Sequence, residues 1–135
     1  MPVARVPGAD PGALLLVDAT SGAGGLPVAA GEFDVYYFAP QKGFASDGGL
    51  YLAVVSPAAV DRIERLVSDR WVPAFLDLKQ ALDNSRLDQT LNTPALATLV
   101  LMCEQVDWML EKGGLEAMAS RCDRSSEIQM CIRDR

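Results

Sequence analysis

Two side chains are placed to do chemistry together, Lys42 and Asp18. Lys42 is the only cationic side chain between Arg5 and Arg62, and its flanks, VYYFAPQ and GFAS, carry no charge. An ammonium in apolar, aromatic surroundings loses hydration, so its pKa falls and the neutral amine becomes available. Such an amine attacks a carbonyl carbon to form a Schiff base. The residues therefore predict a lysine in a dry setting. The plainer alternative is a solvated lysine in a glycine-rich loop, and composition alone favours it. Asp18 ends the apolar run ALLLV. A carboxylate buried there must be hydrogen-bonded or paired, and one use is to hold a protonated heterocyclic nitrogen in a ring that acts as an electron sink. Capping of the Thr20-Ser21-Gly22 turn through local backbone hydrogen bonds explains it equally well. Both can hold at once.

A third feature is Asn92-Thr93-Pro94. Read as a helix start, it offers free backbone N–H groups and the positive end of a helix dipole, which suit a phosphate. Asn92 adds an amide donor, although most Thr-Pro starts are only caps.

The elements that position these residues can be read from period and punctuation. Ala13 to Val17 is a buried, parallel-type strand ending in Asp18, followed by the flexible turn ATSGAGG. Val35 to Ala39 is an aromatic strand stopped by Pro40, with Lys42 in the loop beyond it. Gly48-Gly49 leads into a third strand, Leu50 to Val55. Ser56-Pro57 opens a helix, serine as N-cap and proline at the first position, with Val60, Ile63, Leu66 and Val67 as its apolar stripe and Asp61, Arg62, Glu64 and Arg65 facing water. Residues 71–89 are irregular, with a short helix near Asp77 to Asp83. Thr93-Pro94 opens the strongest helix, which runs to about Lys112, is stopped by Gly113-Gly114, and carries Leu96, Leu99, Val100, Cys103, Val106 and Leu110 as its stripe. Leu115 to Arg121 begins another helix, cut short. Strands mixed with helices on this scale predict an α/β sheet. In such sheets ligands bind beyond the carboxyl ends of the strands, where both Asp18 and Lys42 fall.

Bulk properties narrow the function. The chain has 135 residues, half hydrophobic and 22% charged, as in ordinary globular domains. A net charge of −6 without a basic cluster disfavours nucleic acid as a partner. Its longest apolar runs, 49–57 and 95–103, are too short to span a bilayer. The start MPVARVPGADPG lacks a secretory h-region. Cys103, Cys122 and Cys131 are odd in number and lack metal spacing, which favours a reduced, cytoplasmic setting and no bound metal. Both ends look truncated. The final EIQMCIRDR shows no helical or strand period, and MCIRDR is what the transposon end of common sequencing libraries encodes when read through. Residues 127–135 are therefore expected to be a non-native tail.

Taken together, LLLVDATSGAGGLPV, DVYYFAPQKGFASDGGLYLAVVSP and QTLNTPALATL resemble consecutive blocks of the phosphoserine aminotransferases in their actinobacterial-like form, members of class V of the fold type I pyridoxal-phosphate-dependent aminotransferases. The resemblance runs from Leu14 to about Ser126. It implies that residues 1–126 are part of a cofactor-binding large domain, α/β, with a mixed, mostly parallel sheet and flanking helices. It implies further that Lys42 forms a Schiff base with pyridoxal 5′-phosphate and shuttles the substrate proton, that Asp18 keeps the pyridine nitrogen protonated, and that Gln41 contacts the cofactor phosphate. Asn92 and Thr93 would reach the phosphate bound in the neighbouring subunit of a homodimer, and Ser21 lies near the Asp18 turn. The implied reaction is amino transfer from glutamate to 3-phosphohydroxypyruvate, giving phosphoserine and 2-oxoglutarate in serine biosynthesis.

Two departures accompany the resemblance. Gly43 stands where many of these enzymes have asparagine. The aromatic residue that stacks on the cofactor, the phosphate-cradling helix start and the substrate-binding basic residues have no counterpart in this chain, which would carry only part of an active site. Two other readings stay open: another class V aminotransferase or a desulfurase-like relative, and a non-catalytic binding or assembly fragment. A desulfurase needs a mobile catalytic cysteine, whereas Cys103 is expected in the core.

Overall fold

The computed structural model describes residues 4–67 and 70–133. Three strands, β1 (Leu16–Asp18), β2 (Val35–Phe38) and β3 (Leu52–Val55), form one sheet in the order β1-β2-β3. β1 pairs parallel with β2, Asp18 opposite Tyr37, and β2 pairs antiparallel with β3. The sheet is thus mixed, with one pairing of each kind.

Alternation along the strands separates two faces. One carries Val17, Tyr36 and Phe38, which pack with Ala19, Ala23, Val28, Phe33 and Phe44 into the core. Ring contacts run unbroken through it: Phe33 to Tyr36 at 5.1 Å, Tyr36 to Phe38 at 6.2 Å, and Phe38 stacked on Phe44 at 5.0 Å between centroids. The other face carries Leu16, Asp18 and Tyr37 and is open. Leu16 is 60% exposed, so β1 is not the fully buried strand its composition predicts. Apolar composition fits burial on both faces, but the described residues cover only one.

Helix α1 (Pro57–Val67) starts as predicted, with the Ser56 hydroxyl accepting from the Ala59 N–H at 3.2 Å. Helix α2 (Leu78–Ser85) is capped by Asp77, which accepts from the N–H groups of Lys79 and Gln80. It lies against α1, with Arg86 bonded to Glu64 at 2.9 Å. Helix α3 (Leu96–Glu111) and helix α4 (Gly114–Arg133) pack together across a turn in which Gly113 and Gly114 take φ of +104° and +67°.

Three expectations are corrected here. Thr93-Pro94 does not open α3; Ala95 is the N-cap and makes no side-chain cap bond. Proline disfavours helical backbone at the residue before it, and the helix begins only after the chain has passed Pro94. Second, α3 buries Thr98 and Met109, whereas Leu96, Val100, Cys103 and Leu110 are exposed. This helix is apolar nearly all round, so period alone does not choose a face. Third, α4 continues to Arg133, through most of the segment read as having no helical period. No glycine or proline interrupts it after Gly114, and residues 120–130 are exposed, so helix propensity rather than packing extends it.

Beneath the sheet a hub ties distant segments together. Asp34, 5% exposed, accepts hydrogen bonds from Arg5 at 2.7 Å, from the Leu15 N–H at 2.8 Å and from the Ser56 hydroxyl at 3.0 Å. The Ser56 N–H also donates to the Asp34 carbonyl at 2.7 Å. The leading segment, β1, β2 and the α1 cap meet there, at the amino end of the parallel strands, the opposite end from Asp18.

Candidate functional site

Asp18 is the last residue of β1, and the chain turns at once. Ala19 N–H donates to the Tyr37 carbonyl at 2.8 Å, which prolongs the parallel pairing by one residue. Gly22 and Ala23 then donate back to the Ala19 carbonyl, so residues 19–23 form a tight turn, with Ala19 and Ala23 in the core. Small residues are needed at both positions, because the turn lies against the aromatic row.

The Asp18 carboxylate is exposed and accepts from the Thr20 N–H at 3.0 Å. That bond, with help from the Thr20 and Tyr37 hydroxyls, holds its pKa below the ordinary carboxylate value. The local-turn explanation of Asp18 is therefore correct, while its expected burial is not: it stands on the open face.

Lys42 lies in the turn after β2. Ala45 N–H donates to the Lys42 carbonyl at 3.0 Å, and Ser46 N–H to the Pro40 carbonyl at 3.2 Å. Pro40 is fully buried at one end of this turn. At the other end the buried Ser46 hydroxyl donates to the Thr98 carbonyl at 2.7 Å, and the Thr98 hydroxyl reaches the Gly48 carbonyl at 3.5 Å. The backbone around Lys42 is thus fastened to the sheet and to the first turn of α3. Its side chain and that of Gln41 are exposed. The dry setting expected from the flanking aromatics is corrected, because Tyr36, Phe38 and Phe44 pack into the core while the lysine stays exposed.

The two turns meet through Gly43. A Cβ there would lie under 3.0 Å from the Ala23 carbonyl oxygen, closer than side chains tolerate, so the Lys42 turn is seated backbone-on-backbone against the Asp18 turn. Gly24, at φ +79°, takes Phe44 and Met109 against its bare face. The acid and the amine are thereby carried on touching loops past the carboxyl ends of the parallel pair β1 and β2. Ser21 is exposed on the same turn as Asp18.

Asn92 and Thr93 are not brought into this group. They lie exposed before α3, where the Thr90 hydroxyl donates to the Asn92 carbonyl at 2.6 Å, and among the described residues no hydrogen bond joins them to either turn. Cys103, expected in the core, is exposed on α3. Among the described residues no cluster of three histidine, cysteine or acidic groups could hold a metal, and no helix is long and apolar enough to cross a membrane. Sequence reasoning passed over Asp34, Ser46 and Thr98. A lone carboxylate between Phe33 and Val35 was the available signal for the first; Ser46 and Thr98 carry none, because their contact spans 52 residues.

The aminotransferase class-V family model matches residues 4–130. The chain is 59% identical over 128 residues to a phosphoserine aminotransferase of a Nocardioides species, covering 93% of this chain and 34% of that protein. It is 57% identical over 127 residues to a phosphoserine aminotransferase of Corynebacterium glutamicum, again covering 93% and 34%. It therefore spans about a third of the length of these relatives. In fold it matches the crystal structure of a phosphoserine aminotransferase from Cytophaga hutchinsonii, with a TM-score of 0.71 and 22% identity, over 80% of this chain and 30% of that one. The α/β arrangement of its three strands and four helices is thus that of one stretch of an aminotransferase, and the chain belongs to the class-V aminotransferase family.

Proposed function

We propose that this chain is the lysine-bearing stretch of a phosphoserine aminotransferase. The whole enzyme moves an amino group from glutamate to 3-phosphohydroxypyruvate, giving phosphoserine and 2-oxoglutarate in serine biosynthesis. The observation that carries this reading is the seating of the Lys42 turn on the Asp18 turn, at the end of a sheet where α/β folds bind ligands. The relatives named above, more than half identical over nearly all of the chain, support the choice of substrate.

The donor set fits pyridoxal 5′-phosphate. A primary amine on a fastened turn suits its aldehyde, and a carboxylate held ionised by Thr20 suits its protonated ring nitrogen. When bound, the cofactor supplies that aldehyde and an electron-withdrawing ring. Lys42 would hold it by its Nζ, and the same amine would take up and return the proton at the substrate Cα. Asp18 keeps its charge toward the ring nitrogen. Gln41, exposed beside Lys42, would contact the phosphate, and Ser21 borders the Asp18 turn. Asn92 and Thr93 serve the neighbouring subunit's cofactor, which makes the enzyme a homodimer with shared sites; they are exposed and thus free to face a partner. The cytoplasm is its setting, in keeping with the free, exposed thiols of Cys103 and Cys122. Desolvation of Lys42 then comes from the cofactor and from parts of the enzyme outside this chain.

The test is visible absorption of the full-length enzyme with pyridoxal phosphate. Lys42→Ala should abolish both the visible band and transaminase activity, and a colourless, active protein refutes the reading. Phosphoserine, but not serine or alanine, should bleach the band of the wild type.

A further inference from the structure

We propose that Tyr37 is a positioning residue, its hydroxyl holding the Asp18 carboxylate to the strand that leads into the Lys42 turn. This rests on the reading of Asp18 and Lys42 given above and extends it to a side chain that acts through the acid.

The register of the sheet brings the pair together. Tyr37 stands directly opposite Asp18 in the parallel pairing of β1 with β2, and paired residues of neighbouring strands share a face. The Ala19 N–H, bonded to the Tyr37 carbonyl at 2.8 Å, locks that register at its last position. On its other side Tyr37 is paired with Ala53 of β3. The remaining strand residues of this face, Leu16, Val35, Ala53 and Val55, are apolar, so across the strands the Tyr37 hydroxyl meets one polar side chain, Asp18. It donates to that carboxylate. Burial, and then the Asp18 charge, push the Tyr37 pKa up, which keeps the hydroxyl protonated and a donor.

This bond differs from the others that Asp18 makes. Thr20 supplies its N–H, at 3.0 Å, and its hydroxyl, both from two residues along the same turn. A turn that shifts carries those donors with it. Tyr37 donates instead from β2, whose end is fixed by Phe38 packed on the core and by the fully buried Pro40 ahead of Lys42. The direction of the carboxylate is thereby referred to the strand that carries the amine, and orientation of this kind is what a reacting pair needs.

The experiment uses the full-length enzyme with pyridoxal phosphate and the variant Tyr37→Phe, which keeps the ring and removes only the hydroxyl. The dissociation constant of the cofactor should rise about 3- to 10-fold, the scale of one hydrogen bond. The kcat should fall by a similar factor while the KM for phosphoserine stays unchanged, a split that loss of packing alone does not produce. In an Asp18→Ala background the same substitution should weaken cofactor binding no further, because the acceptor is gone. Cofactor binding in Tyr37→Phe equal to that of the wild type, or an equal loss with and without the Asp18 carboxylate, overturns the proposal while the reading of Asp18 stands. Cofactor binding and activity undiminished in Asp18→Ala sink that reading, and this proposal with it.

Discussion

Removing the Asp34 carboxylate tests the hub beneath the sheet. In Asp34→Ala three donors lose their acceptor. Arg5 is 53% exposed, so water replaces its partner and its share is small, about 0.5 kcal/mol. The Leu15 N–H and the Ser56 hydroxyl are half-buried, and each bonds to a charged group at 3.0 Å or less. Bonds of that kind contribute about 1.5 kcal/mol or more each. The total is a loss of about 3.5 kcal/mol, read as a lower urea midpoint at unchanged slope. Asp34→Asn keeps one acceptor oxygen and should lose roughly half as much.

The pH arm has a definite sign. The Leu15 N–H, then Arg5 and Ser56, hold the folded-state pKa of Asp34 below its ordinary value. A group depressed on folding contributes stability that is complete above its unfolded pKa, near 4, and is lost as pH falls through the folded value. The gap between wild type and Asp34→Asn should therefore be constant from about pH 7 to 5 and close below about pH 4. A loss under about 1 kcal/mol in Asp34→Ala, or a gap that persists in strong acid, would refute the hub.

Three further outcomes follow from the turns. Ser46→Ala removes the buried bond to the Thr98 carbonyl and should cost about 1 kcal/mol, with faster amide exchange across residues 41–48 as its local signature. Ala45 sits at φ +49°, so Ala45→Gly should leave stability unchanged or raise it by up to about 1 kcal/mol in thermal unfolding, whereas Ala45→Val should lower it. Asp18→Asn keeps an acceptor for the Thr20 N–H but loses its charge. Pyridoxal phosphate binding should weaken roughly tenfold, the scale of one lost charge-assisted hydrogen bond, with the melting temperature little changed.

The local grammar of this chain was legible from its residues. Ser56-Pro57 opens α1, Asp77 caps α2, Gly113-Gly114 separates α3 from α4, and strands lie where β-branched and aromatic residues cluster between glycine and proline. These features depend on neighbours within a few positions, so the sequence holds both partners of each interaction side by side. The candidate acid and amine were legible for the same reason, as isolated charges at strand ends. Which face of α3 is buried, what Asp34 ties together, and how closely the two turns approach were decided elsewhere. Ser46 meets Thr98 across 52 residues and Asp34 meets Arg5 across 29, while Gly43 abuts a carbonyl twenty positions back. Contacts of that range leave no period in the chain. Only packing of the turns against one another selects them, and the same packing turns the aromatic row inward and leaves Lys42 in the open.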